Sequence, residues 1–187
     1  PIPMLPKDHI ILTRKSVQLY HRFRQNPISA EMLAFSDEIA EGSKEADNAT
    51  LERIGNWHFY NRWLELPTGR PWPLYLLRFS PEHLINKRTR QVDVEIEAGN
   101  RKQFYLLIGR ILHHIQDMST PSHVLPIYHG PIIKDRYETY LNLCYLNNPA
   151  HVDEAADEIT EQVMADLTEI VVTDVLEIYK TAAMKTL

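Results

Sequence analysis

A single cysteine, Cys144, stands in a chain of 187 residues, so no internal disulfide can form and no thiolate cluster can hold a metal. Any metal here must be bound through nitrogen and oxygen. Cys144 lies among Leu141, Leu143, Tyr145 and Leu146, the setting of a buried thiol that packs as a small hydrophobe. No apolar run reaches the roughly 18 residues of a membrane-spanning helix, so a helical span within this sequence is excluded. Basic excess is also lacking. The formal net charge is -5, which argues against a broad nucleic-acid footprint, although bound divalent ions would locally reverse that field. The chain opens PIPMLPKDH without an initiator Met and shows no signal peptide. That opening leads us to expect a processed product, exported to a periplasmic or extracellular space.

What the chain does have is nine histidines and a helical rhythm. Its length suits one domain, 1–187, able to bury about 70% of its unfolded surface. Nothing alternates at period two for long, so the expectation is an all-α, multi-helix protein. Pro1 to Lys7 is too proline-rich for a helix interior, and Asp8 is the expected N-cap of a helix from His9 to about Arg24. Ile10, Val17 and Tyr20 share one side of it. A second helix is expected from a Ser29 cap to Ala40, closed by Glu41, Gly42 and Ser43. Asp47, Asn48 and Thr50 then read as loop or cap residues.

The segment from Asn56 to Pro81 carries all three tryptophans and, from Pro67 on, is punctuated by prolines. It is expected to be a long loop whose aromatics pack on the core, with a rim for a choline-like ligand as the sharper alternative. Val92 to Met118 reads as a long central helix with an interruption near Gly99. Asp135 to Leu146 reads as another, and His151 to Ala183 as a long amphipathic helix or two with a solvated acidic face.

The most informative stretch is FYLLIGRILHHIQDMSTPSH, Phe104 to His123. Phe104, Ile108, Ile111, Ile115 and Met118 form an apolar stripe at steps of three and four. His113 and Asp117 fall about 40° apart on the opposite face. Gly109 lies near that face, where a missing side chain admits another backbone or a ligand. Imidazole and carboxylate at i,i+4 suit a divalent metal, although taken alone such a pair is more often a surface contact. His114 is expected to serve in the core or behind the ligands; His21, His83 and His151 join no cluster.

LHHIQDMSTPSH resembles the metal signature of the zinc-dependent phospholipase C and single-strand-specific nuclease superfamily: a His, three residues, an Asp, five residues and a His preceded by a proline. His113, Asp117, Pro121 and His123 match it in type and spacing. The order of other residues agrees as well. HIILTRKSV at His9 is similar to the family's first helix, EADN at Asp47 and WHFYN at His58 to its Asp and HFYD pair, and RYETYL at Glu138 to its later acidic ligand. The likeness covers about residues 9–146. It implies that Asp47, His58, His113 and Asp117 hold one zinc, that Asp117 bridges to a second zinc held also by His9, and that His123 and Glu138 hold a third. Lys134 stands where the family has another His; a protonated Lys cannot ligate, so His129 or Asp135 would substitute, His129 being the expectation. The family's processed N-terminal tryptophan has no counterpart, since Pro1 is the first residue.

The resemblance implies a phosphodiesterase of phospholipase C type that uses a metal-activated water, with Asp47 as ligand and general base. Its substrate would be a phospholipid or related phosphoester, with transient contact at a membrane surface. A single-strand-specific nuclease of the same fold is the second expectation, disfavoured by the net charge. A degenerate, metal-containing binding module without activity is the third, supported by Lys134 and the missing tryptophan.

Overall fold

The computed structural model describes residues 6–48, 81–124 and 175–186. Among these residues the elements are all helices: α1 (Pro6–Arg24), α2 (Pro27–Ala34), α3 (Ser36–Asn48), α4 (Pro81–Glu97), α5 (Arg101–Asp117), α6 (Pro121–Val124) and α7 (Val175–Thr186). No described helix is long and apolar enough to cross a membrane. The Asn56–Trp63 aromatics, the expected helix over 135–146 and residues 151–174 of the helical tail expected over 151–183 lie outside the described residues; the rest of that tail is helical, as α7.

Several helix ends differ from expectation, each for a local reason. α1 begins at Pro6, because proline tolerates the first helical turn. Asp8 is therefore not a cap but sits inside that turn, buried. α2 is capped by Asn26, whose side-chain oxygen accepts from the Ser29 amide at 2.8 Å. The Ser29 hydroxyl in turn accepts from the Asn26 amide at 3.1 Å, a reciprocal box that makes Ser29 the third helical residue. The chain breaks at Phe35 and resumes as α3, which runs through Glu41, Gly42 and Ser43 to Asn48. Asp47 thus belongs to the last turn of a helix, not to a loop.

The long helix expected from Val92 to Met118 is two helices. Gly99 has φ +67, the left-handed turn that glycine takes without a side-chain clash. It turns α4 back onto α5, and the Asn100 side chain accepts from the Gln103 amide to cap α5.

α5 is the central element. It runs parallel to α3, with Lys102 beside Glu38 and Arg110 bonded to Glu45 at 2.6 Å. It runs antiparallel to α4, where Val92 packs with Leu107 and Ile111. It is antiparallel to α1 as well, where Val17 meets Ile39 and Tyr105. Phe104 and Ile108 of the expected stripe bridge these two apolar clusters, while Ile111 is buried and Met118 fully so. The opposite face is buried too, with Tyr105, Gly109, His113 and Asp117. On α1 the inward face is His9, Thr13 and Val17; Ile10 and Tyr20 are only half-buried. Val17 of the expected side is inward, but the residues that share that face with it, His9 and Thr13, are polar.

Gly42 and Gly109 set the spacing of α3 and α5. A Cβ on Gly109 would collide with the Ile39 carbonyl, and one on Gly42 would collide with the Leu106 carbonyl while lying 3.2 Å from the Gly109 Cα. Gly99 has nothing around it. Gly109→Ala is expected to lower unfolding free energy by about 2 kcal/mol or more, because overpacking against backbone outweighs the roughly 1 kcal/mol of helix propensity gained. Gly99→Ala should cost about 1 kcal/mol through its positive φ. Urea unfolding checks both, and the reverse ranking would contradict the packing account.

Tyr105 is held neutral by its surroundings. Burial first, then the Glu31 carboxylate, raise its pKa above the ordinary 10.0, against a smaller opposing pull from Arg101. The folded state therefore keeps a proton that the unfolded chain gives up. This contribution to stability is complete below the unfolded value and lost as pH rises through the folded one. Tyr105→Phe is expected to flatten the alkaline fall in melting temperature above about pH 10; an unchanged alkaline slope would contradict this.

Candidate metal centre

The end of α5 supplies the centre of the site. His113 and Asp117, one turn apart, face α1, and His113 Nε2 lies 3.2 Å from Asp117 Oδ2. His9 reaches in from the first turn of α1, with its Nε2 3.7 Å from Asp117 Oδ1. The His9 and His113 ring centroids are 4.1 Å apart at 41°. Beyond Asp117 the chain turns tightly, the Thr120 amide donating to the Asp117 carbonyl at 2.9 Å and the His123 amide to the Thr120 carbonyl at 3.0 Å. Pro121 opens α6 there, and this turn swings His123 back until its Nδ1 stands 3.9 Å from Asp117 Oδ2.

One carboxylate is thus surrounded by three imidazoles, and all four are buried, His113 completely and His123 at 8% exposure. One ligand atom from each of His9, His113 and Asp117 can be chosen so that all lie within 4.8 Å of one another. The donor set suits a divalent cation such as zinc: neutral nitrogen and anionic oxygen, with no thiolate. Two imidazolium rings at this separation would repel in a buried setting, whereas neutral rings sharing a cation with the carboxylate leave no like charges opposed.

Of the sequence-derived ligands, the structure brings together His9, His113, Asp117 and His123. The backbone of Asp47 occupies the last turn of α3, and its side chain lies outside the described set. His58, His129 and Glu138 lie outside the described residues, as do Lys134 and Asp135.

Three residues around the cluster had drawn no attention. Gln116 Oε1 is 2.7 Å from His9 Nδ1, and its Nε2 is 3.0 Å from the hydroxyl of buried Thr13. Gln116 precedes Asp117 and follows His113 by three, a placement that could have signalled it. Thr13 lies one turn beyond His9. Arg88 of α4 is buried and donates through Nη1 to the Arg110 carbonyl at 2.7 Å and to His114 Nε2 at 2.6 Å. Arginine has no acceptor, so Nε2 is the acceptor and His114 is used in packing α4 onto α5, as expected of a core histidine.

No family model, curated protein or solved structure matches this chain. What fold and site define is a helical protein with a buried His/Asp group that could hold a metal.

Arg88→Met keeps much of the volume but removes the donor to the buried His114 Nε2 and one of the bonds to the Arg110 carbonyl. Each unsatisfied group costs about 1–3 kcal/mol. The variant is expected to lose about 3 kcal/mol of unfolding free energy in urea; a loss under about 0.5 kcal/mol, the level of an ordinary surface change, would contradict the assignment.

Proposed function

We propose that this chain is a zinc-dependent phosphoester hydrolase, a phosphodiesterase of phospholipase C type. The observation that carries the reading is the convergence of His9 on His113 and Asp117, a pair more than a hundred residues further along the chain, in the order the superfamily resemblance implies. His123 adds a fourth group from beyond the proline turn. Bound zinc would supply a water acidified towards neutrality and positive charge for the phosphoryl oxygens. The residues of the chain would hold and orient: Asp117 offers two oxygens to different imidazoles, Oδ1 towards His9 and Oδ2 towards His113 and His123, a disposition suited to a carboxylate shared between ions.

Asp47 is proposed as the general base. The parallel register of α3 and α5, fixed by Glu38 with Lys102 and Glu45 with Arg110, carries the end of α3 to the level of His113. No nucleophilic side chain is required in this chemistry. The proposed substrate is a phospholipid or a related phosphodiester.

A second reading has one observation in its favour. The ligands are buried, and closed sites are typical of metals that serve folding. The chain would then be a metal-containing binding module.

Elemental analysis of purified protein is expected to find two or three zinc ions per chain for the hydrolase, and about one or none for the module. His113→Ala and Asp117→Ala should each lower that content, with circular dichroism confirming that the helices persist; unchanged metal in both would sink the site. Hydrolysis of a choline phosphodiester but not of single-stranded DNA is expected of the zinc-loaded protein. The reverse preference would replace the phospholipase with a nuclease.

A further inference from the structure

We propose that Gln116 is a positioning residue of the metal centre, selecting the tautomer of His9 that leaves Nε2 open to a cation. The proposal rests on reading His9, His113 and Asp117 as ligands. A neutral imidazole carries one proton and offers one lone pair, so whatever accepts at one nitrogen decides what the other can do. His9 Nδ1 is 2.7 Å from Gln116 Oε1, and an amide oxygen only accepts. In this orientation of the amide the proton of a neutral ring is on Nδ1. The lone pair is on Nε2, the atom that faces Asp117 Oδ1 at 3.7 Å.

The opposite amide orientation would present the NH2 group to Nδ1, move the proton to Nε2 and close His9 to a cation. In the orientation seen, Gln116 Nε2 donates to the Thr13 hydroxyl oxygen at 3.0 Å. Thr13 and His9 are on the same face of α1, both buried, so one helix presents the ligand and a hydroxyl that bonds the other end of its amide partner. Outer hydrogen bonds of this kind fix ring orientation and typically change metal affinity by about 10–100-fold when removed. Here the acceptor is a neutral amide, so the ring is oriented without adding negative charge to the site.

Two substitutions separate orientation from packing. Gln116→Met has similar length but no acceptor. Gln116→Glu has only acceptors and cannot take the wrong orientation. Zinc affinity of the full chain is measured by competition with a chromophoric chelator, and the melting temperature of each variant is measured in excess chelator. Gln116→Met is expected to weaken zinc binding about 10–100-fold, while Gln116→Glu binds at least as tightly as the unsubstituted chain. Equal affinity in the unsubstituted and Met proteins overturns the proposal while leaving the metal centre standing. Equal weakening in Met and Glu, with equally lowered melting temperatures of the metal-free proteins, also overturns it, since Gln116 would then only fill space. If the unsubstituted chain binds no zinc, the metal centre itself falls and takes this inference with it.

Discussion

The backbone-to-backbone contact between α3 and α5 is the constraint on which the rest depends. Gly42 and Gly109 let the two helices approach until a single added Cβ would strike a carbonyl. At that separation their surface charges meet in parallel register, Glu38 to Lys102 and Glu45 to Arg110. Such exposed pairs contribute little stability, but they fit one register and no neighbouring one. Fixing α5 against α3 also fixes where its last turn ends. His113 and Asp117 then lie at the level of the α3 terminus and against the first turn of α1.

The interior so formed is polar at one end and apolar at the other. Val17, Ile39 and Tyr105 close the apolar end; His9, Thr13, His113 and Asp117 form the other. Helix dipoles contribute modestly to its field, about 0.3–1 kcal/mol each and only within a terminal turn. The C-terminal turns of α3 and α5 favour a cation, and the first turn of α1 opposes it. That near-balance leaves the Asp117 carboxylate to decide the sign, because a buried anion demands a compensating positive partner far more strongly than a dipole does.

The sequence reading succeeded where one residue reports on one local requirement. Gly99 marked the break between α4 and α5, and the i,i+4 spacing placed His113 and Asp117 on one face. Gly109 signalled a close approach, and the structure names Ile39 as its partner. It failed where two segments share the requirement. Gly42 looks like a helix stop until α5 is seen against it. Asn26 rather than Ser29 starts α2 because Ser29 answers the cap as its third residue. Thr13 has no signature of its own, and the spacing of Gln116 from His113 and Asp117 gains meaning only once α1 and α5 are side by side. Apolar periodicity found Val17 on α1 but not the inward His9 and Thr13, because those residues are polar.

The adjacent histidines 113 and 114 bring these threads together. Successive residues of a helix diverge by about 100°, so one can face α1 while the next faces α4, and both are fully buried. His113 meets Asp117, whereas His114 accepts from Arg88. The guanidinium is a permanent positive charge, and beside the carboxylate cluster it would compete with any cation for Asp117. Its Nη1 bonds to the Arg110 carbonyl and to His114 instead tie it to the α4 side of α5. The His114 ring, edge-on to His113 at 5.3 Å between centroids, stands between the two systems. A helix buried on three sides can therefore carry a His/Asp group that could hold a metal on one face and meet a buried arginine on another, provided that consecutive side chains keep them apart.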